Sequence, residues 1–234
     1  MMPTSSRRTV DSGAMPLPCL TYFSSRGRAE LIRLLLADAG VEHDEIAVGS
    51  WSPTDLPPAF VALRASGKLA YGALPLWEEP DGFHLVQSDA ILRHLARTHD
   101  RYGANPREAA RCDELLAGVE DVRAELRKLV VTPAPARPAL REKLHASILP
   151  RWLGFLEQRL AANGGGGGFV VGTEPSVADV VLWHLLEVLH DNGMESALAD
   201  CRSLVRFYAR FGERPGIATH RASRRRYPPQ PFPT

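Results

Sequence analysis

The chain changes its hydrophobic period once, and that change dictates its architecture. From residue 19 to about residue 100, strand and helix signals alternate. After Asp100-Arg-Tyr-Gly-Ala-Asn-Pro106 the strand signals stop. Leu20 to Phe23 reads as a short strand, followed by an apolar helix from Ala29 to Ala39 that Gly40 terminates. Glu42 to Val48 reads as a second strand. Leu74 to Glu79 and Phe83 to Gln87 flank Pro80-Asp81-Gly82, whose φ preferences make a tight turn, so they read as a hairpin. Ser88 opens the next helix, which runs to Arg97. The segment between the second strand and the hairpin reads as loosely structured. Alternation followed by a hairpin implies a small mixed sheet with helices on its faces.

The second half follows different rules. Cys112, Leu115, Leu116, Val119, Val122, Leu126, Leu129 and Val130 recur at helical spacing along one long helix. Pro133, Pro135 and Pro138 break it. A second amphipathic helix runs from about Ala139 to Ala162, with Pro150 set to bend it. Gly164 to Gly168 form a connector without the Gly-Lys-Ser/Thr ending of a phosphate loop. Ser176-Val-Ala-Asp179 has the form of a capping box before an almost wholly apolar helix. Shorter helices near 203–211 and 215–222 finish the core. The implied organisation is a leader at 1–18, a mixed α/β domain at 19–100, a linker at 101–106, an all-helical domain at 107–222 and a disordered tail at 223–234.

Bulk properties exclude several classes. Twenty-eight basic and 27 acidic residues leave a net charge of +1, so there is no global electrostatic case for nucleic acid or an anionic membrane. The interrupted apolar run Val177 to Leu189 is too short to span a bilayer. Three scattered cysteines fit a reducing compartment, and they lack the spacing of a zinc site, as do the eight histidines. Residues 1–18 read as a disordered leader, with a transit peptide as the weaker alternative, and the expected location is cytoplasmic.

The chemistry gathers at Tyr22-Phe-Ser-Ser-Arg-Gly-Arg28, which delivers a phenol and two guanidiniums to one strand-to-helix turn. Tyr22 falls near a helix N-terminus whose free N–H groups favour an anion, and a thiolate is one such anion. Six linked segments now stand in order: this turn, Trp51, Tyr71-Gly-Ala-Leu-Pro75, Gln87-Ser-Asp-Ala-Ile-Leu-Arg-His94, Gly118-Val-Glu-Asp121, and Phe169-Val-Val-Gly172 with Ser176-x-x-Asp179. Over residues 19 to 222 the chain resembles the cytosolic glutathione transferases, of the tyrosine type and closest to the pi and sigma classes. The resemblance implies a thioredoxin-like N-terminal domain of order β-α-β-α-β-β-α, an all-helical C-terminal domain, a homodimer and a site at the domain cleft.

It also implies roles for particular residues. Tyr22 would hydrogen-bond the glutathione thiolate and Arg28 would add positive potential, although some relatives use a serine at this turn, which keeps Ser24 and Ser25 as alternatives. Leu74 and Pro75 match the turn before a cis-proline, whose preceding backbone groups pair with the cysteinyl part of glutathione. Gln87 and Ser88 suit the γ-glutamyl carboxylate, while Ser88 also suits a plain helix cap. Trp51 and Lys68 are candidates for the glycyl carboxylate, though the family's lysine falls nearer Ser66. The aspartate matching Asp121 reaches across the dimer to the partner's γ-glutamyl amine; read alone, Asp121 belongs to a solvated helix face. Ala73 and Val131 depart from the glutamine and tyrosine of many relatives. The second substrate's walls would come from Phe23 and Ser24, Lys128 to Val131, and the C-terminal part. Arg224-Arg-Arg226 reads as solvated tail. The implied activity is conjugation of glutathione to largely apolar electrophiles, without a metal. A glutathione-dependent isomerase or peroxidase, sigma-like prostanoid chemistry included, and a non-catalytic binding protein are the alternatives.

Overall fold

The structure, a computed structural model, describes residues 16–164 and 168–233. Residues 1–15 of the expected leader, Gly165 to Gly167 of the glycine connector, and Thr234 lie outside the described residues. Among the described residues four strands form one sheet in the order β2-β1-β3-β4. β1 (Cys19–Tyr22) pairs in parallel with β2 (Asp44–Ala47), Leu20 lying opposite Glu45. It pairs antiparallel with β3 (Leu76–Glu78), which in turn pairs antiparallel with β4 (His84–Val86). Parallel strands need a crossover, and α1 (Glu30–Ala39) provides it. α2 (Pro58–Ala65) occupies part of the segment read as loosely structured and buries Phe60. α3 (Ser88–Thr98) follows the hairpin. This is the expected thioredoxin-like order, and helices follow it.

α4 (Pro106–Val131) buries Cys112, Leu115, Leu116, Val119, Val122, Leu126 and Leu129, whereas Val130 is exposed. Asn105 caps it by accepting the N–H groups of Arg107 and Glu108. The second amphipathic helix divides into α5 (Arg137–Lys143) and α6 (Leu149–Ala162), joined by a wide π-type turn at 144–148. Pro150 explains the break, because it has no N–H to give and its ring crowds the carbonyl four residues back. α7 (Val177–Asp191) is buried along nearly its whole length. Its capping box is complete: Asp179 accepts the Ser176 N–H and O–H at 2.8 Å and the Val170 N–H at 2.7 Å. α8 (Arg202–Gly212) and α9 (Pro215–Ala222) complete the helical part.

The two parts meet along α1. Gly216 lets α9 approach so closely that a Cβ there would collide with the Ala37 carbonyl. Asp38 receives Arg101 at 3.2 Å and also Arg214. Glu30 is fully buried, with Arg33 Nη1 at 3.3 Å, His220 Nε2 at 3.1 Å and Arg226 Nε at 2.8 Å from its carboxylate. Arg226 also donates to Glu187 of α7 at 2.5 Å, and it is only 7% exposed along its side chain. Arg224 and Arg225 are exposed, as read from composition, whereas Arg226, Tyr227 and Phe232 are held against the fold. Two buried carboxylates draw Arg226 inward, and the residues after it follow. Phe232 N–H donates to Asn192 Oδ1 at 2.6 Å, and Arg141 donates to the Phe232 carbonyl at 3.1 Å.

Burial alone pushes the Glu30 carboxyl up, but the hydrogen bonds and charges of His220 and Arg226 outweigh it and hold the pKa far below the ordinary range. A depressed folded-state pKa contributes stability that is present above the unfolded value of 4.5 and lost as pH falls below it. Glu30→Gln is expected to destabilise the fold by about 3–5 kcal/mol at neutral pH, because it leaves buried cations without their counter-charge. It should also flatten the loss of stability below the ordinary carboxylate pKa. Denaturant unfolding of both proteins across the acid range checks both outcomes.

Candidate active site

Tyr22 ends β1 with its ring packed edge-on against Phe23, which in turn packs on Phe60. Its hydroxyl accepts the Arg28 backbone N–H at 3.0 Å. That N–H belongs to the short turn Gly27–Ala29 leading into α1, where the first backbone donors of a helix have no internal acceptor. Gly27 makes the contact possible: its φ is +41°, and a Cβ there would stand 2.5 Å from the phenol oxygen. With one lone pair of the oxygen engaged by Arg28, the hydroxyl keeps its own proton to donate.

The phenol opens onto a cavity of about 510 Å³ between the start of α1, the helices α4 and α7, and residues 230–233. Tyr22, Arg28, Trp51 and Ser88 line it, so four of the residues singled out from sequence come together. Trp51 is 60% exposed, with its indole available to a ligand. Ser88 is buried at the first turn of α3, and Gln87 before it has a φ of +75°, a conformation rarely held by a residue with a side chain. Leu74–Pro75 is cis. Arg28 crosses to α4, its Nη2 lying 3.4 Å from Glu120 Oε1. Burial pushes the Glu120 carboxyl up, but Arg127, bonded to it at 2.8 Å, and the Arg28 charge hold its pKa below the usual range.

Other sequence candidates do not reach the cavity. Lys68 is exposed, is bound to Glu78 at 2.6 Å and does not line the cavity. Asp121 is exposed on α4 and does not line the cavity. Phe23 is committed to the core, and neither it nor Ser24 and Ser25 line the cavity. Of the expected second wall, Val130 and the C-terminal residues Gln230, Pro231, Phe232 and Pro233 are present, whereas Val131 is exposed elsewhere.

Arg26, the other guanidinium of the Tyr22 turn, also lines the cavity, and sequence reading missed Arg123, Arg127 and His184, which line it too. Arg26 is paired with Asp191 at 2.9 Å and donates to the Tyr227 carbonyl at 2.7 Å. Arg123 donates to His184 Nδ1 at 2.6 Å. The available signal was the interruption of the apolar α7 sequence by His184 and Glu187, since polar groups on a buried helix must face a partner.

Comparison with known proteins supplies the family. Residues 18–97 match the family model of the glutathione S-transferase N-terminal domain, and residues 120–224 match that of the C-terminal domain. The chain belongs to the glutathione S-transferase family. It is 37% identical over 210 residues to glutathione S-transferase P 1 of Bufo bufo, covering 87% of this chain and 91% of the relative. It is 36% identical over 211 residues to glutathione S-transferase P of Bos taurus, covering 89% and 93% of the two chains. Among solved structures, a pi-class glutathione S-transferase of Onchocerca volvulus superposes with a TM-score of 0.72 at 32% identity, over 86% of this chain and 90% of the other. This transferase therefore takes glutathione as its co-substrate. Gly27→Ala is expected to displace the Tyr22 hydroxyl and lower kcat/KM for conjugation by roughly 10–100-fold, as small misplacements of reacting groups do. Steady-state assays beside an unfolding curve check that the loss is not one of folding.

Proposed function

We propose that this transferase holds glutathione as a thiolate on the Tyr22 hydroxyl and adds it to electrophiles with an apolar body. The observation that carries the reading is the Arg28 N–H donated to Tyr22. It draws electron density from the phenol oxygen, strengthens the O–H as a donor, and leaves that O–H directed to an acceptor in the cavity. Free thiol titrates near ~8.5, and lowering it by about two units takes roughly 2.7 kcal/mol of preferential thiolate stabilisation. One charge-assisted hydrogen bond beside a helix N-terminus is of that order. The thiol proton leaves to solvent, the sulfur lone pair forms the new C–S bond, and the leaving group departs with the pair from the bond it breaks.

The remaining residues fit the two carboxylates and the amine of glutathione. Ser88 and the backbone at Gln87 suit the γ-glutamyl carboxylate, and the backbone beside cis-Pro75 at Leu74 suits the cysteinyl amide groups. With Lys68 held by Glu78, the glycyl carboxylate falls to the Trp51 indole N–H. Leu126, Val130, Val188 and Phe232 supply an apolar wall for the second substrate. In our reading the enzyme works as a homodimer, with exposed Asp121 reaching the partner's γ-glutamyl amine. A cytoplasmic role in disposal of electrophiles fits its three free cysteines.

Titrating the ultraviolet absorbance of bound glutathione thiolate tests the central step. Tyr22→Phe should return the thiol pKa toward the free value and lower kcat roughly 100-fold. A low pKa that survives Tyr22→Phe and disappears in Ser24→Ala or Ser25→Ala would transfer the role to a serine. Asp121→Asn should raise the KM for glutathione several-fold while sedimentation still shows a dimer; a monomeric wild-type protein with full glutathione affinity would refute the shared site.

A further inference from the structure

Four guanidiniums line the cavity, and three are matched by carboxylates. Arg26 has Asp191 at 2.9 Å, while Arg28 and Arg127 share Glu120 at 3.4 and 2.8 Å. Arg123 is the exception among the described residues, since no carboxylate lies within ion-pair reach and its hydrogen bond goes to His184 Nδ1 at 2.6 Å. That imidazole brings no compensating charge. Burial first, and then the Arg123 charge, push its pKa down to about 3, so it is neutral and accepts through Nδ1. Burial likewise pushes Arg123 down to about 10 despite the charges of Glu120 and Asp89, and it stays protonated at neutral pH. Arg123 is only partly buried and lines the cavity, and the bond to His184 is its one side-chain hydrogen bond among the described residues.

We propose that Arg123 is the anion-binding residue of the second-substrate pocket, held by His184, and that it selects electrophiles bearing a carboxylate at one end of an apolar body. A partly buried cation with no carboxylate in contact gains a counter-charge when a ligand anion binds beside it. A planar guanidinium with free N–H groups suits the fork of a carboxylate. The apolar wall formed by Leu126, Val130, Val188 and Phe232 fits the rest of such a molecule. His184 is a positioning residue: neutral, it fixes the guanidinium without neutralising it. An aspartate in its place would satisfy Arg123 from within the chain and leave nothing for the ligand.

This assignment rests on the transferase reading of the same cavity, and the test separates the two. The probes are 4-chloro-3,5-dinitrobenzoate and its methyl ester. In each, glutathione sulfur forms the aromatic C–S bond and chloride leaves with the C–Cl pair. The readout is the ratio of kcat/KM for acid over ester, which cancels damage common to both. Arg123→Gln should lower that ratio roughly 10–100-fold, the range expected for a hydrogen bond to a charged group. His184→Asp should lower it similarly, whereas a merely structural Arg123 would be better held by an aspartate and the ratio would not move. Binding of 3,5-dinitrobenzoate, which has no leaving group, followed by calorimetry in both variants, gives a reading independent of turnover. Equal ratios in wild type and both variants would overturn the proposal. So would a raised KM for glutathione with an unchanged ratio, which would assign Arg123 to a glutathione carboxylate. Absence of ester turnover by the wild-type protein would instead count against the transferase reading, while calorimetry still decides the anion site.

Discussion

The buried Glu30 carboxylate is the constraint from which the rest of the molecule is organised. It stands at the first turn of α1, two residues after the N–H that orients Tyr22. From that point it gathers Arg33 of its own helix, His220 of α9 and Arg226 of the C-terminal segment. An isolated buried carboxylate would be too costly to keep charged, so its partners cannot be independent of it. The helix that follows the Tyr22 turn is thereby tied to α9 and, through Arg226, to α7 across the cleft. One ionic group therefore links both sides of the cleft.

The C-terminal segment shows how that tie becomes function. Arg226 bridges Glu30 and Glu187, and Tyr227 offers its carbonyl to Arg26. The chain beyond is then placed for Phe232 to meet Asn192 and for residues 230–233 to enclose the cavity. Around that cavity Arg26 contacts Asp191 and Arg28 and Arg127 share Glu120, whereas Arg123 contacts a neutral imidazole. Arg123 is thus the cavity guanidinium without a carboxylate in direct contact.

Local rules made much of this legible. A strand followed by Arg-Gly-Arg and an apolar helix located Tyr22 and Arg28, the Pro80-Asp81-Gly82 turn located the hairpin, and Ser176 with Asp179 located the start of α7. Each of those signals spans only a few residues, within which backbone geometry and hydrogen-bond satisfaction decide the outcome. The anchoring of Arg226 was not legible because composition carries no information about distant partners: Arg226 meets Glu30 across 196 residues of chain. The pairing of Lys68 with Glu78, on a strand ten residues away, was likewise not legible in composition. Arg123 and His184 were invisible as a pair because α4 and α7 come together only through tertiary packing, with 61 residues between them.

The most direct test of the account is a crystal structure of the protein with glutathione bound. The sulfur should lie within hydrogen-bonding reach of the Tyr22 hydroxyl while that hydroxyl still accepts the Arg28 N–H. A sulfur held by Ser24 or Ser25, with Tyr22 turned away from it, would contradict the account.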